Sequence, residues 1–471
     1  MTPDDFRKHA HELVEWMAGY MENVEKLPVK SQVKPREIFN QIPDKPPLQP
    51  ESFEILMKDF NEIIMPGITH WQNPNFFAYF PANTSPASVL AEMLTATLGA
   101  QCMIWETSPA AAELEEKMMI WLRDLIGLPA GFEGVIQDSA STATLTAILT
   151  AREKATGFQG NIDGLTNSSC LKVYCSEQTH SSVEKGIKIS GIGRKNLVKI
   201  PVLDDFSMDT EKLKDAISSD RKNGQTPCCV VATLGTTGTT AIDNLKAIGK
   251  ICHENSVWLH VDAAMAGTAL ILPEFQWMLE GKEYIDSFVF NPHKWMFTNF
   301  DCTAYFVKDA SSLIKTFEIL PEYLKTRTRG IVNDYRDWGV PLGRRFRALK
   351  LWSVIRTYGV EGLRNTVRNH IAIAAELAAK ISKEADFEIL APVIISVVCF
   401  RYIPKGFNEE QINSINEKLN HQLNDSGKIY LSHTVLNGKY TLRMATAQTN
   451  VTREHVEKAW LLIRESARGI K

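Results

Sequence analysis

Between about residues 85 and 355 the chain alternates short β-branched or apolar runs with segments of helix length. The clearest runs are LKVYC (171–175), CCVVAT (228–233), VWLHV (257–261) and IDSFVF (285–290). Runs this short and this apolar do not leave one face to water, so they read as strands of a sheet covered by helices on both sides, an α/β plan. Ligands of such sheets collect at the carboxyl ends of the strands, so the residues just after each run are the ones to examine for function.

The flanking regions differ. Phe6, Ala10, Leu13, Met17, Tyr20 and Val24 recur at three- and four-residue steps, which predicts an amphipathic helix. The proline-rich segment 28–50 has too few apolar residues to build a core of its own, so it reads as an arm lying on something else, with a second subunit the obvious candidate. After residue 358 a helix leads into 387–402, followed by helix, strand (KYTLRMAT) and helix, the pattern of a small α+β domain. The expected division is a helical arm over 1–84, a large domain over 85–357 and a small C-terminal domain over 358–471.

A net charge of -3 offers no bulk attraction for nucleic acid or an anionic membrane, and a small neutral or zwitterionic ligand fits better. No apolar stretch approaches the ~18 residues of a membrane span, and the opening MTPDDF lacks the pattern of a secretory signal. The cysteines form no CxxC pair and have no ligand-spaced histidines, so we expect a cytoplasmic protein with reduced thiols and no metal site.

Polar residues follow each strand in turn. After the short run 134–136 comes QDSASTATL, where Ser139, Ser141 and Thr142 open a helix; its N-terminus suits a phosphate, and taken alone an ordinary N-cap is the plainer reading. His180 follows LKVYC at a loop-to-helix junction, where a structural histidine is the plain alternative. CCVVAT leads into LGTTGTTAIDN, a small-residue loop with Thr237 and Asp243 near its ends. VWLHV ends in Asp262, followed by Ala263 and Ala264, and IDSFVF runs into Asn291, Pro292, His293 and Lys294. One chemistry needs this set. Pyridoxal phosphate requires a lysine amine for a Schiff base, a carboxylate to keep its ring nitrogen protonated and a helix N-terminus for its phosphate. Lys294, Asp262 and the 139–142 turn are candidates for the three roles; a buried ion pair of Lys294 with Asp262 is the alternative.

At this point the chain closely resembles the group II pyridoxal-phosphate amino-acid decarboxylases, and among them the aromatic-L-amino-acid decarboxylases. The resemblance runs through IIMPGITHWQNPNFFAYFP (63–81), THSSVEKG, ATLGTTGT, WLHVDAAMAG, SFVFNPHKW, NFDCTA and PLGRRFRALKLW. It implies a fold-type-I architecture with a large domain built on a mainly parallel seven-stranded sheet, and an obligate homodimer with active sites at the subunit interface. It implies that Lys294 carries the cofactor, Asp262 pairs with its ring nitrogen, His180 stacks on the ring and Ala264 packs on the other face. Ala140, Ser141, Ser287, Asn291 and His293 match phosphate-contacting positions, and Thr237 a cofactor-contacting threonine. Tyr323, in LPEYLKTRTRGIVNDYRDW, matches the loop tyrosine that protonates Cα after carbon dioxide leaves. Lys325, Arg327, Arg329 and Gly330 suit a mobile lid; a plain surface loop is the alternative.

The implied activity is decarboxylation of an aromatic amino acid to its amine. Relatives with phenylalanine in place of Tyr323 resemble aldehyde synthases, the alternative outcome. Trp71, Tyr79, Phe80 and Pro81 match the apolar substrate pocket, to which Ala82, Gln101, Met103, His180 and Gly343 also belong; Gln101 and Met103 replace apolar or aromatic residues expected from the partner subunit. Histidine decarboxylases carry serine at the position of Gly343. Together with Gly359, that glycine leaves room for a large ring and favours tryptophan or 5-hydroxytryptophan over tyrosine, dopa or phenylalanine.

Overall fold

Strands β1 (Glu133–Gln137), β2 (Leu171–Ser176), β3 (Leu197–Ile200), β4 (Thr226–Thr233), β5 (Trp258–Asp262), β6 (Ser287–Phe290) and β7 (Thr303–Val307) form one sheet in the order β1-β7-β6-β5-β4-β2-β3. The computed structural model that shows this describes residues 1–166, 170–319 and 331–470. Neighbours from β3 to β6 pair in parallel, and β7 runs against both β1 and β6. The mainly parallel seven-stranded sheet expected from the sequence is therefore present. Cys229, Val230 and Val231 of β4 are wholly buried, as are Phe288, Val289 and Phe290 of β6, so both faces of these strands are covered.

The apolar run 285–290 is longer than the strand it contains. The Ile285 amide closes a preceding turn on Lys282 O at 3.3 Å, whereas the Asp286 amide already bonds Leu259 O at 3.0 Å and its carboxylate takes the Leu259 amide at 2.8 Å, so pairing with β5 starts at the residue before Ser287.

The described chain divides into two compact units. One comprises 82–372 and 391–397 and holds the seven-stranded sheet. The helical stretch Arg347–Ile381 is interrupted at Gly359, which has φ +66° and ψ 163°. The other unit comprises 1–81, 373–390 and 398–471, with β8 (Phe387–Ile389), β9 (Val397–Tyr402), β10 (Ser432–Leu436) and β11 (Lys439–Ala445) in the order β10-β11-β9-β8. Here the N-terminal segment joins the C-terminal strands: the Phe77 amide donates to Tyr430 O and the Ala445 amide to Phe77 O, both at 2.9 Å. The N-terminal helix spans Pro3–Asn23, started by a Thr2–Asp5 capping box, and none of its residues is buried. Among the described residues no helix is long and apolar enough to cross a membrane.

Candidate active site

Strand register brings the first site residues together. Asp262 ends β5 opposite Thr233 of β4 and Val289 of β6, so the segments that follow these strands leave the sheet at one edge. The Ala263 amide bonds Val289 O at 2.9 Å and the Asn291 amide bonds Ala264 O at 3.0 Å, which stitches the loop after β5 to the turn after β6. Asp262 is 4% exposed, and its Oδ1 accepts the Ala264 amide at 3.0 Å. No other hydrogen bond reaches that carboxylate among the described residues, so it retains acceptor capacity for a cation.

Lys294 lies in a single helical turn, Pro292–Trp295. Its own amide bonds Asn291 O at 2.9 Å, while the His293 amide bonds Cys302 O at 3.2 Å. His293 Nδ1 accepts the Cys302 amide at 2.9 Å, and Asn291 Oδ1 accepts the Thr303 hydroxyl at 2.9 Å. Trp295 is fully buried and donates through Nε1 to His370 Nδ1 at 3.0 Å. The turn is thus anchored on both sides of the lysine. Burial, reinforced by the Lys294 charge, pushes the His293 pKa down to about 3, so the ring is neutral at ordinary pH.

His180 follows β2, and its Nδ1 accepts the Ser182 amide at 3.2 Å, which places the neutral ring's proton on Nε2. The residue is exposed, yet partial desolvation by the protein atoms around the ring lowers its pKa; the Asp262 charge opposes that and the Lys294 charge adds to it. Three residues from three strand ends therefore lie within electrostatic reach of one another. The helix Ala140–Ala155 starts after β1, capped by Ser139, whose Oγ accepts the Thr142 amide at 3.2 Å. Its first turn has no acidic residue, and the Ala140 and Ser141 amides have no acceptor within the helix, which suits an anion.

Thr237 is exposed on the loop after β4, which leaves the sheet at the same edge as Asp262, while other expected residues serve other ends. Asp243, at the far end of that loop, is a structural peg: it accepts the Thr233 and Met208 amides, each at 2.7 Å, and burial raises its pKa to about 6. The phosphate contact expected of Ser287 is not supported by its placement. Ser287 is at the amino end of β6, wholly buried, with its hydroxyl engaged by Trp258 Nε1 and His260 Nδ1, each at 2.9 Å. Strand direction, which the local sequence does not reveal, decides this.

Three expected pocket residues form a cluster. Gln101 Oε1 accepts the Arg344 amide at 2.7 Å, the Cys102 amide bonds Arg344 O at 3.0 Å, and the Arg336 amide bonds Met103 O at 2.9 Å. A Cβ placed on Gly343 would lie 3.2 Å from Gln101 Nε2. In the other unit, Trp71 and Tyr79 stack at 5.9 Å, and Tyr79 OH meets Tyr430 OH at 3.2 Å. Phe80 and Pro81 are buried, and Ala82 opens the larger unit. Arg443 of β11, which the sequence reading passed over, is 2% exposed beneath Phe80, its guanidinium 4.6 Å from the ring centre. It donates to Tyr79 O, while its Nε and Nη2 have no partner among the described residues. A cation inside the apolar run of KYTLRMAT was the available signal. Tyr323, Lys325, Arg327, Arg329 and Gly330 lie outside the described residues.

The donor set suits pyridoxal phosphate. A buried carboxylate with spare acceptor capacity, a neutral imidazole, a lysine and an acid-free helix N-terminus meet the charge needs of its ring nitrogen, ring face, aldehyde and phosphate. Thr233 Oγ1, buried at the same strand end, has no hydrogen-bond partner among the described residues.

Comparison with known proteins agrees with this chemistry. The pyridoxal-dependent decarboxylase conserved domain matches residues 35–403. A phenylacetaldehyde synthase of Petunia hybrida is 43% identical, covering 99% of this chain and 95% of that protein. An aromatic-L-amino-acid decarboxylase of Sus scrofa is also 43% identical, covering 98% and 96%. The crystal structure of Oryza sativa TDC with PLP and tryptamine superposes with a TM-score of 0.97 at 35% identity, covering 100% of this chain and 99% of that one.

Proposed function

Since the chain belongs to the pyridoxal-dependent decarboxylase family, we propose that it converts an aromatic L-amino acid to the corresponding arylalkylamine and carbon dioxide. The observation that carries the reading is the convergence of Lys294, Asp262 and a neutral His180 at one sheet edge, in a chain similar to an enzyme named for aromatic L-amino acids. Tryptophan or 5-hydroxytryptophan is the favoured substrate, with tyrosine, dopa and phenylalanine next. Gly343 is the residue behind that order, as the glycine in this region of the aromatic-type relatives, and the space beside it is taken by the Gln101 amide, with Nε2 3.2 Å from where a Cβ would stand.

When bound, pyridoxal phosphate supplies an aldehyde that condenses with amines and a protonated ring that withdraws the electrons released from the breaking bond to the carboxylate. The chain's residues set the conditions. Lys294 would hold the cofactor through its amine, the group that the aldehyde requires. Asp262, enclosed and lacking a competing donor beyond one amide, holds a proton at the ring nitrogen. His180, kept neutral, gives the ring a flat face without an added positive charge. The N-terminal amides of the Ala140–Ala155 helix bind the phosphate, with Asn291 Nδ2 and His293 Nε2 as further donors. Tyr323 delivers the proton to Cα.

A homodimer is part of the reading. The helix Pro86–Leu98 exposes Leu90, Leu94 and Leu98 at 61%, 59% and 63%, a four-residue repeat that a second copy would cover.

The test is a panel of aromatic amino acids with products identified. Amine and carbon dioxide in equal amounts are expected, with a borohydride-reducible label on Lys294. Aldehyde, peroxide and ammonia would instead favour the second reading, an aldehyde synthase, which the 43% identity to the Petunia hybrida phenylacetaldehyde synthase keeps in view.

A further inference from the structure

The last carbonyls of a helix have no partner within it. The turn carrying Lys294 is the extreme case, a single turn from Pro292 to Trp295. Two of its carbonyls are nevertheless satisfied, both by a residue from another part of the chain. The main-chain N–H of Asn83 donates to His293 O at 3.1 Å, and its side-chain Nδ2 donates to Lys294 O at 2.6 Å across 211 positions of sequence. Asn83 is 1% exposed. It is itself held from behind: two residues on, Ser85 caps the helix Pro86–Leu98 by accepting the Ser88 amide at 3.4 Å.

We propose that Asn83 is a positioning residue for Lys294. Its two hydrogen bonds fix the peptide units on either side of the lysine's Cα, and so limit where the ammonium group can reach. The same bonds tie that turn to the segment bearing Ala82, an expected substrate contact. Amine and substrate then keep a common register. Asparagine suits the task because its short side chain carries a donor that the Lys294 carbonyl requires. Aspartate has the same shape, lacks that donor, and sets a carboxylate against a carbonyl oxygen; alanine leaves the carbonyl unpaired. The inference rests on Lys294 being the amine that carries the cofactor, and it deepens that reading by naming what holds the lysine.

The test compares full-length wild type, Asn83→Ala and Asn83→Asp, each reconstituted with pyridoxal phosphate. Three quantities are read: kcat and KM for the best aromatic amino acid, the pH titration of the visible absorption band, and the rate at which cofactor-free protein recaptures pyridoxal phosphate. Displacement of a reacting group by an ångström or less costs up to about 100-fold, so kcat is expected to fall about 10- to 100-fold with KM changed less than about threefold. The titration midpoint shifts and recapture slows in both variants, more in Asn83→Asp. The proposal is overturned if kcat stays within about twofold and the titration is unmoved. It is equally overturned if activity falls only in step with the folded fraction measured by circular dichroism, the folded remainder titrating like wild type. Failure of the underlying reading shows separately, in the wild type, as a borohydride label on a lysine other than Lys294.

Discussion

Lys294 stands between His293, 4% exposed, and Trp295, wholly buried, so the polypeptide sinks into the core on either side of the lysine proposed to carry the cofactor. Lys294→Ala should abolish turnover and remove the borohydride label; near-normal activity would rule out the assigned role. Tyr323→Phe should leave cofactor binding intact and move product from amine toward aldehyde, as read by product analysis, and an unchanged product would assign Cα protonation to another group. Buried histidines make a further prediction. Burial lowers His260 to about 4, His293 to about 3 and His370 to about 4, so from pH 6.5 downward the unfolded chain binds protons that the folded chain refuses. Their contribution to stability is present above pH 6.5 and is lost as pH falls toward 4, at most about 1.4 kcal/mol per pH unit for each ring. Asp243, raised to about 6, acts in the opposite sense, since it is the folded state that takes up its proton first. Urea unfolding of the cofactor-free protein at pH 6.5 and pH 5 should therefore show a net loss; equal stability would mean these rings are hydrated or protonated in the fold. At this scale the sequence offered candidates where a charged or polar residue stood within a few positions of the end of an apolar run, as with Lys294, Asp262 and His180. It was silent on Ser287, whose hydroxyl is occupied by partners from the neighbouring strand.

Elements were legible in proportion to how locally they are determined. The central strands lie where the apolar runs stand, and Asp286 fastens the start of β6 to β5 through both its amide and its carboxylate. The sequence reading starts a further helix after residue 358, and the structure adds the backbone conformation of Gly359 that separates it from the helix before. That backbone, at φ +66° and ψ 163°, lies in a region open essentially to glycine alone, and no atom lies within 4 Å of where a Cβ would stand. Gly359→Ala should thus cost about 1–3 kcal/mol through the backbone alone, without a clash. Denaturant unfolding reads that cost directly; an unchanged midpoint would mean that the helical stretch runs straight through. A glycine after a tyrosine in a helix-length pattern does not disclose this, because the same dipeptide is tolerated inside a continuous helix at about 1 kcal/mol.

For the whole molecule the decisive question is what covers the apolar surface that one copy leaves open. Leu90 and Leu94 repeat along one face of their helix, and replacing both with aspartate should convert the proposed homodimer to monomers in sedimentation analysis while abolishing decarboxylation. A double variant that remains dimeric would move the interface elsewhere. The amino-acid sequence by itself determined the α/β class and the cofactor and offered the charged residues proposed to serve it, because alternation of apolar runs and the polar residues that follow them are local features. Only the tertiary structure decided which of those residues share an edge. It set Ser287 at the wrong end of its strand for a phosphate, enclosed Arg443 beneath Phe80, and delivered Asn83 to the carbonyl of Lys294. Those outcomes depend on strand direction, register and contacts across hundreds of residues, and no local pattern of residue types encodes them.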